Sequence, residues 1–418
     1  MARLLLTIIF LSFISLGLPD AALGTAWPAM YPELDVSIGA AGMIALVVTA
    51  GTIVSSLLSG TILGRFGTGK VNFASTLLTG LALIGYARSP SYVWLLAFAI
   101  PLGLGAGSVD AGLNSYVAMH YKAHHMNWLH SFWGMGATLS PVILAQIISR
   151  TGNWRTGYQT IASIQLILAV VLFLSLPLWE KVGKKLASHP VQANIPETTT
   201  TAEGLALAEQ EKTLSNTVLD KEQPSLLHLF KTPGLLLVLL SFFFYCGAEI
   251  SMGLWGGSLM VNVHGLAVEQ AGQYVASYFG GIMAGRFLTG FLTFRYKTHT
   301  LIRFGIFASL LGALLIFFIG ATSGGQIGFI LVGLGFAPVF PGMIHETPAR
   351  FGQHHSQSII GFQMASAYAG TMLFPPIIGS LATRFSLTVL MPVVILLILA
   401  LVLSTETINR LFARKAAT

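Results

Sequence analysis

Charge is what this 418-residue chain has least of: 9% of its residues are Asp, Glu, Lys or Arg, while 54% are hydrophobic. A soluble domain carries about 25% charged residues, so a water-facing surface cannot be built from this composition. Cysteine is scarcer still. The single Cys246 excludes an internal disulfide, and the Cys/His spacing of a zinc site is absent. No nucleophile–base pair, metal cluster or nucleotide loop is found, so the chain reads as a non-enzyme with no cofactor and no metal. The glycine-rich stretch GLGAGSVDAG (103–112) lies within an apolar run and reads as packing or hinge glycine, not as a phosphate cradle. Apolar/polar alternation is also missing, which argues against a membrane β-barrel.

What is present are apolar runs of about 20 residues, the length a helix needs to cross a bilayer. Lipid offers the backbone no hydrogen-bond partner, so the spans must be helices. They fall near 4–31, 38–63, 70–88, 92–120, 127–149 and 156–179, then near 232–263, 267–291, 298–319, 325–348, 357–382 and 386–406. The fold class is therefore all-α integral membrane, with twelve transmembrane helices in two pseudo-symmetric six-helix bundles, 1–179 and 231–418. The intervening 180–230 holds 12 of the 37 charged residues and reads as a linker. Its end, PSLLHLFKTPG, suits a short surface helix. The net charge of +7 points to the bilayer and not to nucleic acid, because membrane proteins keep Lys and Arg in cytoplasmic loops. With the N-terminus inside, 18 of 22 Lys/Arg are cytoplasmic and only Arg88, Arg150, Arg155 and Arg384 lie outside. That places both termini and the linker in the cytoplasm of a multi-pass protein of the plasma membrane, the inner membrane in a bacterium.

The halves repeat. SGTILGRFGTG (59–69) aligns with GGIMAGRFLTG (280–290), Asp20-x3-Gly24 with Glu249-x3-Gly253, and SFWGMGATLSPVI with SAYAGTMLFPPII through Ser131/Ser366, Trp133/Tyr368 and Pro141/Pro376. Parallel repeats around a midplane site are how secondary transporters alternate access. The repeat also makes the first apolar run an integral helix and not a cleaved signal peptide.

Of the 15 acidic residues, three sit inside spans: Asp20, Asp110 and Glu249. No Lys or Arg is expected at their depth. A lone carboxylate in a low-dielectric site costs several kcal/mol if ionised, so it tends to hold a proton and can couple transport to a proton gradient. The bland alternative is a protonated acid bonded to backbone. Asp110 and Asn114, four apart, share one face of their helix. Asn127, His130, Ser131, Gly134 and Thr138 form a polar, small-residue face that suits either a cavity wall or close helix packing. Trp133 and Trp255 read as sugar-stacking aromatics, with interfacial anchoring as the alternative.

G-x3-G-R-F-G-T-G-K (60–70) resembles the signature between helices 2 and 3 of the major facilitator superfamily, although Gly64 stands where that signature has Asp. Arg65, Lys70 and the repeat-related Arg286 read as cytoplasmic gate residues, or as ordinary positive-inside charge. In finer detail GLPDAALGTAWP, DAGLNSYV, NWLHSFWGMGA and YCGAEISMGLW resemble the fucose permease (fucose–proton symporter) branch. The resemblance implies Asp110 and Asp20 as proton-coupling residues. It also implies Asp20, Asn114, Asn127, His130 and Trp133 as substrate-binding residues; Glu249, the repeat partner of Asp20, and the aromatic Trp255 complete the expected substrate-binding set. His130, Trp133 and Glu249 replace residue types of the fucose permease, so a hexose or related deoxyhexose or polyol fits better than fucose itself. The implied function is proton-coupled sugar import by a monomer, with sugar and proton as partners. Proton-driven efflux of amphipathic compounds and a non-transporting nutrient sensor are the competing readings. Sodium would also suit a carboxylate with backbone carbonyls.

Overall fold

The computed structural model describes residues 2–120, 123–188 and 232–417. Most of the helices are apolar nearly all round and show little amphipathic contrast, as burial in lipid and neighbouring helices requires. Among the described residues, fourteen α-helices form twelve spans. In the N-terminal half these are α1 (Ala2–Asp20) with α2 (Ala22–Glu33), α3 (Ala41–Phe66), α4 (Thr68–Arg88), α5 (Tyr92–His120), α6 (Ala123–Thr151) and α7 (Trp154–Ser188). In the C-terminal half they are α8 (Leu235–Asn262), α9 (Val268–Leu292), α10 (Thr298–Ile319), α11 (Ser323–Phe336) with α12 (Val339–Phe351), α13 (Gln353–Arg384) and α14 (Leu390–Ala417). Nine of the spans are long and apolar enough by themselves to cross a membrane among the described residues. The other three, α4, α9 and α13, are diluted by polar residues. The helix α7 runs past 180 to Ser188, so the start of the expected linker is helical. The rest of 180–230, including its expected surface helix, lies outside the described residues.

Two spans are broken where backbone chemistry requires it. Pro19 lacks an N–H and crowds the preceding turn, and the first span is interrupted one residue after Asp20, at Ala21. Pro338 does the same between α11 and α12. The tight α3–α4 corner rests on Gly67, whose φ of 79° is disfavoured for a side chain bearing a Cβ.

The halves meet chiefly through α6 against α9 and α3 against α13, with α2 against α8 between them. The crossings use small residues. The Cβ positions of Gly24 and Gly253 point into the partner half or a neighbouring ring, and Gly24 sits directly on the Gly253 carbonyl. Gly39 lies likewise on Gly379, and Gly42 on Pro375 and Pro376. These contacts lie towards the face opposite the chain termini. There Tyr31 donates to Asn262 at 2.7 Å and Ser149 to Glu269 at 2.9 Å. Towards the terminal face, a Cβ at Gly60 or Gly64 of α3, or at Gly361 of α13, would meet nothing within 4 Å.

Candidate functional site

The halves enclose a cavity of about 290 Å³. This approaches the lower end of the range for small-molecule sites, roughly 300–1,000 Å³. Asp20 and Glu249 both line it. Their common level follows from the sequence: each acid lies one turn before a glycine, Gly24 or Gly253, and those two glycines are where α2 and α8 touch. A bulkier residue at Gly24 would meet the α8 backbone and push the helices apart, whereas at Gly253 it would meet the Phe279 ring.

Asp20 is exposed to the cavity and accepts a hydrogen bond of 2.7 Å from Trp133 Nε1. That contact depends on close packing of α1 against α6, where Gly17 lies on the Trp133 carbonyl and Gly136 on the Ile14 carbonyl. The Trp133 ring faces Phe279 edge-on at 6.2 Å, and both line the cavity.

The surroundings of Glu249 correct one expectation. Arg286 of α9 brings its guanidinium to 3.5 Å from Glu249 Oε1 and to 5.1 Å from the centre of the Trp133 ring. A basic group therefore does lie at the depth of the buried acids. An arginine stem of several methylenes carries its head far from its own Cα along an apolar wall, so the position of Arg286 at the end of its apolar run understated its reach. The result is a chain of contacts across the halves: Asp20 to Trp133, Trp133 to Arg286, Arg286 to Glu249. Two carboxylates and one guanidinium leave the site one negative charge in excess when both acids are ionised.

Asp110 lies behind this cavity and does not line it. It accepts a 2.9 Å hydrogen bond from Asn114 Nδ2, and no ion pair reaches it among the described residues. His130 packs edge-on against Phe13 at 5.7 Å and is also outside the lining. For Asn127 the side chain lies outside the described residues. Trp255 differs from expectation: it is wholly buried, packs at Gly379 in the closed crossing of the halves, and does not face the cavity. Arg65 and Lys70 are exposed at the terminal face and form no ion pair among the described residues.

Sequence reasoning passed over a set of neutral groups. Ser12, Ser15, Thr76, Thr79 and Gln165 extend the cavity into the N-terminal bundle between α1, α4 and α7. Gln165 accepts from Ser15 and donates to Thr79 Oγ1 at 3.1 Å, and Asn72 donates to Ser12 Oγ at 3.0 Å. The signal was available as the i, i+4, i+7 spacing of Asn72, Thr76 and Thr79 on one face of a membrane helix.

Residues 5–364 match the family described as Major Facilitator Superfamily. The 4-hydroxybenzoate transporter of Pseudomonas aeruginosa is 25% identical over 307 residues, covering 71% of this chain and 66% of that protein. The putative glucose/galactose transporter of Helicobacter pylori is 22% identical over 386 residues, covering 86% of this chain and 84% of that protein. The chain spans smaller shares, 56% and 31%, of two other curated relatives. In fold it is similar to a bacterial homologue of the human lysosomal transporter Spinster in an inward-facing, occupied conformation, with a TM-score of 0.72, 11% identity, and 98% and 97% of the two chains covered. A multi-pass helical protein with two repeated bundles around a central cavity, matched to that family over most of its length, this chain belongs to the Major Facilitator Superfamily.

Proposed function

We propose that the chain imports a small neutral hydroxylated solute, a hexose or deoxyhexose, together with protons, by alternating access across a bacterial inner membrane with both termini in the cytoplasm. The observation that carries this reading is that Asp20 and Glu249, repeat-related acids from opposite halves, line one cavity. Ionised carboxylates accept strong hydrogen bonds from adjacent hydroxyls, and the Trp133 face beside Asp20 offers a sugar ring an apolar platform. Asp110 supplies the coupled proton. It has a neutral partner in Asn114 and no cation among the described residues, so it can gain and lose charge without breaking an ion pair seen there. The closed crossing at one face and the open glycine surfaces at the terminal face correspond to a cytoplasm-facing state.

Uptake of a sugar panel into proteoliposomes, under separate proton and sodium gradients, tests the reading. Accumulation of at least one hexose driven by protons alone is expected. Accumulation driven only by sodium, or of no sugar, sinks it. Cys246 gives a second reading of occupancy, because it is the only cysteine and lines the cavity beside Glu249. A transported sugar should slow its alkylation.

Arg286 supports a second reading, in which the solute is an organic carboxylate that competes with Glu249 for the guanidinium. Protection of Cys246 by an aromatic carboxylate such as 4-hydroxybenzoate, with no protection by sugars, would favour it.

A further inference from the structure

The N-terminal bundle has a polar interior that the C-terminal bundle lacks at the same positions. The buried face of α4 includes Asn72, Ser75, Thr76, Thr79, Leu83 and Tyr86, and that of α10 includes Ile302, Gly305, Ile306, Ser309, Ala313 and Ile316. The spacing is identical, so the two faces superpose under the repeat. Along the last span of each half, buried Tyr158 and Gln165 fall on the register of buried Val394 and Leu401. Asn72, Thr76, Tyr86, Tyr158 and Gln165 thus stand where the other half has aliphatic side chains. The fold does not require polar residues there.

Three of these groups keep an unsatisfied polar atom. Tyr86 and Tyr158 are each 1% exposed, both line the cavity, and neither hydroxyl has a hydrogen-bond partner among the described residues. Asn72, 2% exposed, leaves its Oδ1 unpartnered while its amide is committed to Ser12. An unpaired buried polar group is costly, and lipid can offer it nothing. A polar cavity holds water or a ligand, whereas an apolar one of this kind stays dry.

We propose that this lobe, between α1, α4 and α7, is a binding subsite for a neutral polyhydroxylated group, continuous with the central cavity at Asp20. Every polar group on its walls is neutral. Such a lining exchanges hydrogen bonds with hydroxyls in both directions, since Gln165, the threonines and the tyrosines all donate and accept. It offers no counter-charge to an ion. The subsite deepens the importer reading and rests on it for the name of the ligand class. It means that substrate hydroxyls are read by the interior of one half as well as by the acids between the halves.

Thr79→Val and Gln165→Leu remove hydrogen-bonding capacity at nearly constant volume, and leucine is already accommodated at the repeat-related Leu401. In proteoliposomes each should raise KM for the transported sugar about tenfold or more. The maximal rate and the dependence on the proton gradient should be kept, the signature of lost uniform binding. Unchanged KM in both overturns the subsite. A second measurement does not need transport. Thr79→Cys in a Cys246→Ala background should react with a small water-soluble methanethiosulfonate, and glucose or sorbitol should slow the reaction in a concentration-dependent way. No reaction, or reaction that neither polyol slows, overturns the subsite and leaves a sealed or merely hydrated lobe. Protection by a polyol without any sugar uptake would sink the importer reading and keep the subsite.

Discussion

The two halves share a helix plan but have solved opposite electrostatic problems. Four of the five ion pairs among the described residues lie in the C-terminal half: Arg286–Glu249, His299–Glu346, Arg303–Glu406 and Arg350–Glu346. Three of its acids, Glu249, Glu346 and Glu406, are tied to bases, and its interior is packed with rings such as Tyr245, Phe336 and Phe340. In the N-terminal half, Asp20 and Asp110 have only neutral partners, Trp133 and Asn114, and the interior is lined with hydroxyls and amides. A carboxylate held by a guanidinium is difficult to protonate. One held by a neutral donor is free to change charge. Under the proposed function, the N-terminal half would serve proton exchange and hydroxyl recognition, and the C-terminal half would hold one charged group in a rigid frame.

That division can be broken at its strongest point first. Asp110→Asn fixes the neutral state, and proton-driven accumulation should be lost while exchange of substrate down its gradient persists. Accumulation that survives in this variant would move coupling away from the N-terminal half. Next in size, Glu249→Gln should weaken sugar binding at constant pH by about 10–150-fold, the equivalent of a charged hydrogen bond of roughly 1.5–3 kcal/mol. Arg286→Gln added to that variant should restore part of the thermal stability lost to an unpaired guanidinium. A double-mutant cycle should return a coupling of about 0.5–3 kcal/mol, and zero coupling would show the pair to be incidental.

A smaller contrast concerns the paired faces of α4 and α10. Ile306→Thr buries a hydroxyl in a dry wall and should destabilise the protein by about 1–3 kcal/mol. The reciprocal Thr76→Ile removes a polar group from the lobe and should cost less stability while impairing substrate binding. Equal losses in the two melting curves would argue that both interiors are equally hydrated. The smallest effect is expected at the terminal face. Arg303 donates to Glu406 at 2.5 and 2.7 Å, yet the Arg303 side chain is 42% exposed. Arg303→Gln should therefore change stability by about 0.2–1 kcal/mol.

The helical plan was legible because lipid imposes one length and one composition on every span. The 92–120 run corresponds directly to α5 (Tyr92–His120). The repeat was legible partly because Gly24, beside Asp20, lies against the α8 backbone where a side chain would not fit; Gly60 and Gly64, which also match across the halves, meet nothing within 4 Å and carry no such constraint. Three features were hidden for separate physical reasons. Arg286 acts about a side chain's length from its backbone, and sequence depth records only the backbone. Trp255 sits at the level of the cavity but on the wrong side of its helix, which apolar runs without amphipathic contrast cannot reveal. The polar lobe is built from single neutral residues spread over three helices. Each is unremarked in a membrane span, and only their convergence from α1, α4 and α7 gives them meaning.

The glycine crossing between α2 and α8 also bears on how quickly the protein can turn itself inside out. No ion pair among the described residues joins one half to the other at the closed face; the halves are held there by bare backbone, a few neutral hydrogen bonds and the single charged one from Ser149 to Glu269. Backbone Cα–H···O contacts of the kind that Gly24 makes with Gly253 contribute roughly 0.5–1 kcal/mol each. A seam of this type seals by shape and parts at low enthalpic cost, much as two smooth surfaces do. A population spread over both facings is within reach of the modest differential affinity of a small solute, since a few kcal/mol suffices to tip a two-state equilibrium. The barrier at this face is accordingly steric and not electrostatic.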